Sequence, residues 1–391
     1  MDGSSFSSAR RVENGTIAKE VVVTYLSRLG TPMLAHEEIT LTAVAKAIAQ
    51  IKNSEFAGCY DDAADYSGAV FFVPDDTLMP DEASRLGIRG PNDLFGGVVP
   101  YPVAKTKAIT HQLANRGADH PEGWSSVFAE KVRDVVLPGY TAFSVRDAQV
   151  AAMRMLPRGP IRLKNPLSCG GRGQAVVARI DEMDAFVEKI PADDIAASGV
   201  VLEANLREVT TRSIGQVTIG DTTVSYHGTQ RVVADNEERS VYGGSDLVCV
   251  RGDWDVLNRL PMTAEVRLGI IQARSYEAAM SEYPGFLASR RNHDVGQGVD
   301  GAGRWRSGVL EAAWRTGGAS TAELAALAAF VHDPALQVVE VSAVKEFGRN
   351  REAPRDAVVH FCGDDPQDGP ILRYTVVTRT HAGPLEKPIG P

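Results

Sequence analysis

Lys164 closes the apolar run of Ile161 to Gly173 (IRLKNPLSCGGRG), and a second apolar run, Val200 to Leu206 (VVLEANL), carries Glu203 further along the chain. Together these segments supply the groups needed to hold a nucleoside triphosphate. The Lys164 ammonium brings positive charge to phosphate oxygens. Gly170, Gly171 and Gly173, with Ser168 beside them, let backbone N–H groups approach phosphates without Cβ obstruction. Where Glu203, Ala204 and Leu206 turn past an adenine edge, backbone amide and carbonyl groups are placed to read it by hydrogen bonds. The loop matches neither G-x-x-x-x-G-K-[ST] nor G-x-G-x-x-G, so the two commonest nucleotide motifs are excluded.

A second constellation lies in RNHDVGQGVDGAGRWRSGVLE (291–311). Asp300, Gly301, Ala302 and Gly303 predict a turn midway between Asp294 and Glu311, so a hairpin brings the two carboxylates together. A register pairing Val299 with Arg304 sets Asp294 opposite Val309, with Glu311 diagonally across on the same face at about 7–8 Å. A bulge would change that parity. Two carboxylates on one face suit Mg²⁺, which takes a few carboxylates together with substrate phosphates. Should one fail as a ligand, Asp300 and Glu323 are the other candidates. WRTGGAS (314–320) then leads into a helix, and the amides of its first turn, with Gly318 and Ser320, attract a carboxylate. Arg315 beside them, and Arg290, Arg291, Arg304 and Arg306 on the hairpin, favour an acidic substrate.

In this order, from Lys105 or Lys107 in VAKTKAITHQLANRG through Lys164, the glycine loop, the Glu203 hinge and the acidic hairpin, the chain resembles the ATP-grasp superfamily over roughly residues 101–320. Within it, the chain is most similar to a bacterial carboxylate-amine ligase-like branch whose substrate the resemblance does not supply. The resemblance implies an α+β / α/β architecture: an N-terminal parallel α/β domain and ATP clamped between two sheets. It implies ATP and Mg²⁺ as cofactors, and a carboxylate activated as an acyl phosphate. Lys105 or Lys107 and Lys164 would hold phosphates, Glu203 and Leu206 would lie at adenine and ribose, and Asp294 and Glu311 would bind the metal. Arg231, expected on a strand before a Gly243-Gly244 turn, matches the place of an Arg for the γ-phosphate or acyl phosphate, and the turn's amides would cover the phosphates. The Gly-rich loop would bind the substrate carboxylate, with Arg315 catalytic and Arg291, Gly318 and Ser320 at the substrate. The family usually has an Asn two residues after its metal-binding Glu; Ala313 stands there in this chain.

The expected reaction is ATP-dependent ligation of a carboxylate to an amine, or to a thiol, giving ADP and phosphate. Phosphorylation of a small molecule by an ATP-grasp kinase, and a nucleotide-binding regulatory protein without catalysis, are the alternatives. The expected partners are small-molecule carboxylates and amines. A homodimer stays open, since no oligomer interface is legible.

The chain has 391 residues and a formal charge of −9. That acidity argues against nucleic acid as the main partner. Cys59, Cys169, Cys249 and Cys362 lie far apart without C-x-x-C, which suggests neither a zinc cluster nor a disulfide framework. There is neither a signal-peptide core nor an 18-residue apolar run, so a cytoplasmic protein without membrane attachment is expected.

Periodicity places a strand at VVVTYL, a helix over 38–51, and a strand at AVFFV, a small parallel unit within residues 1–100. Residues 101–200 are expected to form the glycine-loop subdomain. It would open with a helix from Ala104 to Gly117, followed by a helix near 145–156 and one capped by Asp181. Residues 201–332 are expected to form an antiparallel sheet with the metal hairpin and flanking helices. The segments of 333–391 read as three more strands, a separate C-terminal extension.

Overall fold

The computed structural model describes residues 19–27, 33–168 and 172–383, together with the short strand pair Val12–Glu13 and Thr16–Ile17. Gly170 and Gly171 of the glycine loop, with Cys169, therefore lie outside the described residues. The apolar run Val21–Tyr25 is buried along most of its length, as a strand covered on both faces must be. It pairs in parallel with Glu55–Cys59 on one side and Val70–Pro74 on the other. The 17-residue helix Ala35–Ile51 makes the crossover from Val21–Tyr25 and starts earlier than the periodicity predicts.

A four-stranded antiparallel sheet follows. In spatial order it runs Gly139–Ala142, Val200–Ala204, Ile161–Lys164, Gln174–Val177. Alternation divides its residues. Ile161, Leu163, Val200 and Leu202 pack on Ala148, Ala151, Ala152 and Met155 of the helix Val145–Met155, so Lys164 and Glu203 must point the other way. The helix expected to be capped by Asp181 is Ile180–Val187, with Arg179 at its N-cap and no side-chain cap bond.

The large sheet has eight antiparallel strands, and the last three of the chain belong to it. Val338–Phe347 pairs with Ser240–Arg251 from Gly244 to Val250. Gly369–His381 and Val358–Asp365 extend the sheet beyond it. The C-terminal strands are thus not a separate terminal sheet; the edge of Ser240–Arg251 offers unpaired backbone groups that they satisfy.

One face of the large sheet, through Ile214, Val248, Val295 and Val309, packs on the helices Ala264–Ala279 and Ser126–Val132. Val103, Ala104, Ala108 and Ile109 join the same core, so much of 101–136 packs with the large sheet. In place of the helix expected from Ala104 to Gly117 there are two 3₁₀ turns, Pro102–Lys105 and Lys107–Ile109, the first opened by Pro at its start. On the opposite face, Val217, Tyr226, Val339 and Val341 pack on the helices Ala35–Ile51 and Ser320–His332. Between these helices and the small sheet that face is open, and the cleft lies there.

Candidate active site

Lys164, Glu203, Asp294 and Glu311 line one cavity of about 720 Å³ between the two sheets. Ser168, Ala204, Leu206, Arg231, Arg315 and Gly318 line it as well.

On the small sheet, Lys164 is 3% and Glu203 1% exposed, and their charged groups pair directly. His111 Nε2 lies 2.9 Å from the other Glu203 oxygen. Burial alone would raise the Glu203 pKa, but the Lys164 ammonium and His111 outweigh it and hold the carboxyl at about 2. Glu203 therefore orients Lys164 rather than reading a base. The amides of Ala204 and Asn205 are already bonded to the carbonyls of Pro138 and Pro160, at 2.8 and 3.1 Å. Leu206 N–H has no backbone acceptor among the described residues. The glycine loop folds back so that Asn165 N–H donates to the Gly173 carbonyl at 2.9 Å. Gly173 has φ +63°, and a Cβ there would sit 2.1 Å from Ser168 Oγ, so the turn requires glycine.

Lys105 and Lys107 have different partners. Lys105 Nζ turns to Asp76 at 3.2 Å, a carboxylate that also pairs with the cavity-lining Arg315 at 3.7 Å. Lys107 reaches Glu311 Oε2 at 2.5 Å and donates to the Ser168 carbonyl at 3.2 Å, tying the glycine loop to the acidic hairpin.

On the large sheet the hairpin strands are Arg290–Val299 and Trp305–Ala313. The expected register is off by one: Val299 pairs with Trp305, which by itself would bring Leu310 opposite Asp294. A bulge between Asp294 and Val295 adds the compensating residue, and Asp294 faces Glu311 directly. The two departures add in register, and together they restore the parity that puts both carboxylates on one face. Burial, then the Glu311 carboxylate, raise the Asp294 pKa well above the ordinary Asp range. Burial also opposes ionisation of Glu311, but Lys107 dominates and lowers its pKa. Asn292 Nδ2 donates to Asp294 at 2.9 Å, while its oxygen accepts from Tyr226 Oη at 2.9 Å and Ser213 Oγ at 3.2 Å. Asn292 is also the cross-strand partner of Ala313, so an amide stands directly opposite the position where the family usually has Asn.

This donor set fits Mg²⁺. Two facing carboxylates, one ionised only at a cost, gain from a divalent cation, and phosphates and water would complete the octahedron. Among the described residues no group of three or more His, Cys, Asp and Glu forms a closed metal cage. Asp300 is not a third ligand: it accepts from the amides of Ala302 and Arg304 and pairs with Arg304 and Arg306. Glu323 is not one either, being bonded to Arg290 at 2.7 and 2.8 Å and to Tyr226.

Several expected residues are placed elsewhere. Strand alternation sends Arg290, Asn292 and Asp294 to the cleft face and Arg291 to the other, where it binds Glu277 at 2.7 Å, away from any substrate. Arg304 and Arg306 are held by Asp300 in the turn. Arg231 lines the cavity but is 41% exposed at its side chain and forks onto Asp246, whereas the amide of its neighbour Gln230 opposes the rise of the Asp294 pKa. Gly243 and Gly244 do not form a turn. They lie inside Ser240–Arg251 at a bulge where pairing jumps from Arg231–Gly244 to Val232–Tyr242. Gly244, at φ +125°, would bring a Cβ within 2.0 Å of the Ala343 carbonyl oxygen, so close strand approach is what selects glycine. Ser320 is buried and its Oγ accepts from Gly317 N–H at 3.0 Å, bracing the loop from within. Arg315 and Gly318 remain at the cavity.

His111, Asn292 and Gln230 are site residues that the sequence reading passes over. Asn292 has a readable signal, since it shares strand parity with Asp294. His111 has none, because a 3₁₀ turn and a distant strand bring it to Glu203.

Residues 25–375 match the family described as "Protein of unknown function (DUF3182)". Among curated proteins none matches the chain. Among solved structures, the ADP complex of purK, an N5-carboxyaminoimidazole ribonucleotide synthetase, superimposes with a TM-score of 0.51 at 14% identity, covering 92% of this chain and 93% of that one. Biotin carboxylase from Campylobacter jejuni gives 0.47 at 11% identity, covering 92% and 87%. D-alanyl-alanine synthetase A from Vibrio cholerae gives 0.45 at 13% identity, covering 76% and 89%. At such identities the likeness extends to the fold alone. The chain belongs to the DUF3182 family and has the ATP-grasp fold.

Proposed function

We propose that this protein is an ATP-dependent ligase that joins a carboxylate to an amine through an acyl phosphate. The single observation that carries the reading is the convergence of Lys164, Glu203, Asp294 and Glu311 on one cavity between two sheets. Lys164 is aligned by Glu203 and His111 to meet phosphate oxygens. Leu206 N–H meets the adenine edge, and Lys107, which donates to the Ser168 carbonyl and pairs with Glu311, joins the start of the glycine loop to the acidic hairpin. Asp294 and Glu311 would hold Mg²⁺, which supplies charge neutralisation at the phosphate oxygens when bound. Arg315 and the Gly317-Gly318 loop orient the substrate carboxylate, whose oxygen attacks the γ-phosphorus while the bond to the ADP oxygen breaks. The amine nitrogen then attacks the acyl carbon, phosphate leaves with the acyl C–O bonding pair, and the amine's proton passes to solvent. Positioning and electrostatics carry most of the catalysis in such a transfer.

Arg231 is demoted in this scheme, because its fork is occupied by Asp246; Arg315 is the cation that faces the transferring group. The test is phosphate release from ATP against pooled amino acids, peptides and polyamines, with mass spectrometry of the products. A mass equal to acid plus amine minus water supports the ligase. A phosphorylated product without free phosphate replaces it with a kinase, and nucleotide binding without turnover across the panel replaces it with a regulatory protein.

A further inference from the structure

The far end of the cavity, beyond Tyr242, is built differently from the nucleotide end. Arg373 on Gly369–His381 and Lys345 on Val338–Phe347 are direct cross-strand partners, so their side chains share the face that looks into the cleft, and both line the cavity. Lys345 is engaged, with Asp368 at 3.2 Å and His36 Nε2 at 2.9 Å. Arg172, at the end of the glycine loop, pairs with the same Asp368. Arg373 has no hydrogen bond and no ion pair among the described residues. A guanidinium carries five donors and cannot shed its proton, so one left unpaired in a largely desolvated wall costs stability. Its surroundings register the charge: burial, Lys345 and Arg373 together lower the His36 pKa to about 4, so His36 does not add a third cation at neutral pH. Asp368 is shared between two cations already, and the Glu37 carboxylate and Tyr242 act on Arg373 only through space, without a hydrogen bond or ion pair among the described residues.

Tyr242 links this end to the metal pair. Burial raises its pKa, the Asp294 carboxylate adds to the rise and Arg373 opposes it, so the ring lies within electrostatic reach of both. Its ring also packs against Gly318 of the loop assigned to the substrate carboxylate, where a Cβ would fall 2.3 Å from a ring carbon. A substrate seated on Gly318 therefore lies beside a ring that feels both Asp294 and Arg373.

We propose that Arg373, supported by Lys345, binds a second anionic group of the substrate, a carboxylate or a phosphate, so that the acid activated in this cleft is at least a dianion. This rests on the ligase reading for the word substrate, but the anion site stands on its own geometry. A planar fork that meets two oxyanion oxygens at once is the arrangement for which Arg is suited.

The test uses the full chain and calorimetric titration of inorganic phosphate and, separately, malonate, at constant ionic strength set with chloride. Each titration is run with and without a saturating non-hydrolysable ATP analogue and Mg²⁺. With the nucleotide end filled, the wild type is expected to bind one of the two anions, and which one it prefers distinguishes phosphate from carboxylate. Arg373→Gln should weaken that binding about tenfold or more, the scale of losing a charge-assisted bond, while analogue affinity stays unchanged. Arg373→Lys should recover part of it, and anion-free Arg373→Gln should melt no lower than the wild type. Equal anion affinity in wild type and Arg373→Gln, or no anion binding by the wild type, overturns the site. If the analogue fails to bind but an Arg373-dependent anion affinity persists, the ligase reading falls and the anion site stands. If Arg373→Gln does not fold, Lys345→Gln carries the same comparison.

Discussion

The two walls of the cleft handle buried charge in opposite ways. On the small sheet one carboxylate, Glu203, faces Lys164 and His111, and ionisation is favoured so strongly that its pKa falls to about 2. On the large sheet two carboxylates, Asp294 and Glu311, face each other; Lys107 pairs with Glu311, Lys164 and Arg315 act on it from further off, and Asp294 is still driven above the ordinary range. The first cluster is complete without a ligand and serves to hold Lys164 in place. In the second, burial and mutual repulsion still oppose full ionisation of the pair, and a divalent cation would relieve both. A nucleotide clamp needs both: a rigid cation for the phosphates and an acidic pair that gains from a metal.

Breaking the balanced wall should have the largest effect. Glu203→Gln leaves Lys164 buried without its counter-charge, and urea unfolding should show a loss of about 3–5 kcal/mol. Next, Lys164→Met removes one electrostatic donor to the transferring group, and steady-state kinetics with the identified substrates should show a fall in kcat of about 10²–10³. The folding defect and the rate defect separate the orienting residue from the oriented one.

The acidic wall predicts the reverse pattern. Asp294→Asn removes repulsion within the pair, so the metal-free chain should melt higher at neutral pH, by on the order of 1 kcal/mol of added stability. The same variant should lose the thermal stabilisation that Mg²⁺ with an ATP analogue gives the wild type. A variant that is more stable without metal and indifferent to it sharpens the contrast; one that is less stable breaks it.

Acid titration tests the walls together. Glu203 has its pKa lowered from 4.5 to about 2 in the folded state, so its contribution is fully present above about pH 4.5 and is lost as pH falls toward 2. Asp294 has a raised pKa, so its contribution runs the other way: the folded chain binds the proton more readily, and stability falls as pH rises through the range above the Asp value of 3.8. Denaturant midpoints against pH should therefore flatten on the acid side in Glu203→Gln and flatten at higher pH in Asp294→Asn. The smallest effect belongs to Arg231→Ala. It breaks a half-exposed pair with Asp246 and should cost about 0–1 kcal/mol, with kcat little changed if Arg315 is the working cation.

How far the site could be read from sequence follows from the distances over which its geometry is set. Lys164 and Glu203 were legible because each sits on a short strand whose apolar neighbours fix the side it faces. The acidic hairpin was legible as a pair but not in register, since a one-residue slip and a one-residue bulge leave the same turn and the same two strands. Gly243-Gly244 was misplaced for a related reason: glycines that end a strand and glycines that let two strands approach look alike in a linear text. The helix expected over 104–117 failed because residues 103–109 pack against the large sheet, and tertiary contact overrode local periodicity. Among the described residues no helix is long and apolar enough to cross a membrane.

The order of Lys105 or Lys107, Lys164, the glycine loop, Glu203, Asp294 and Glu311 was legible in the amino-acid sequence alone, because residue types and strand alternation are local properties, and the two-jawed architecture came with the ATP-grasp resemblance that this order carries. Which lysine reaches the acidic pair, which arginine remains free, and the joining of the last three strands to the large sheet were decided only in three dimensions. Each depends on groups far apart in the chain meeting across a sheet or a cleft, where burial makes an unmatched charge costly enough to select its partner.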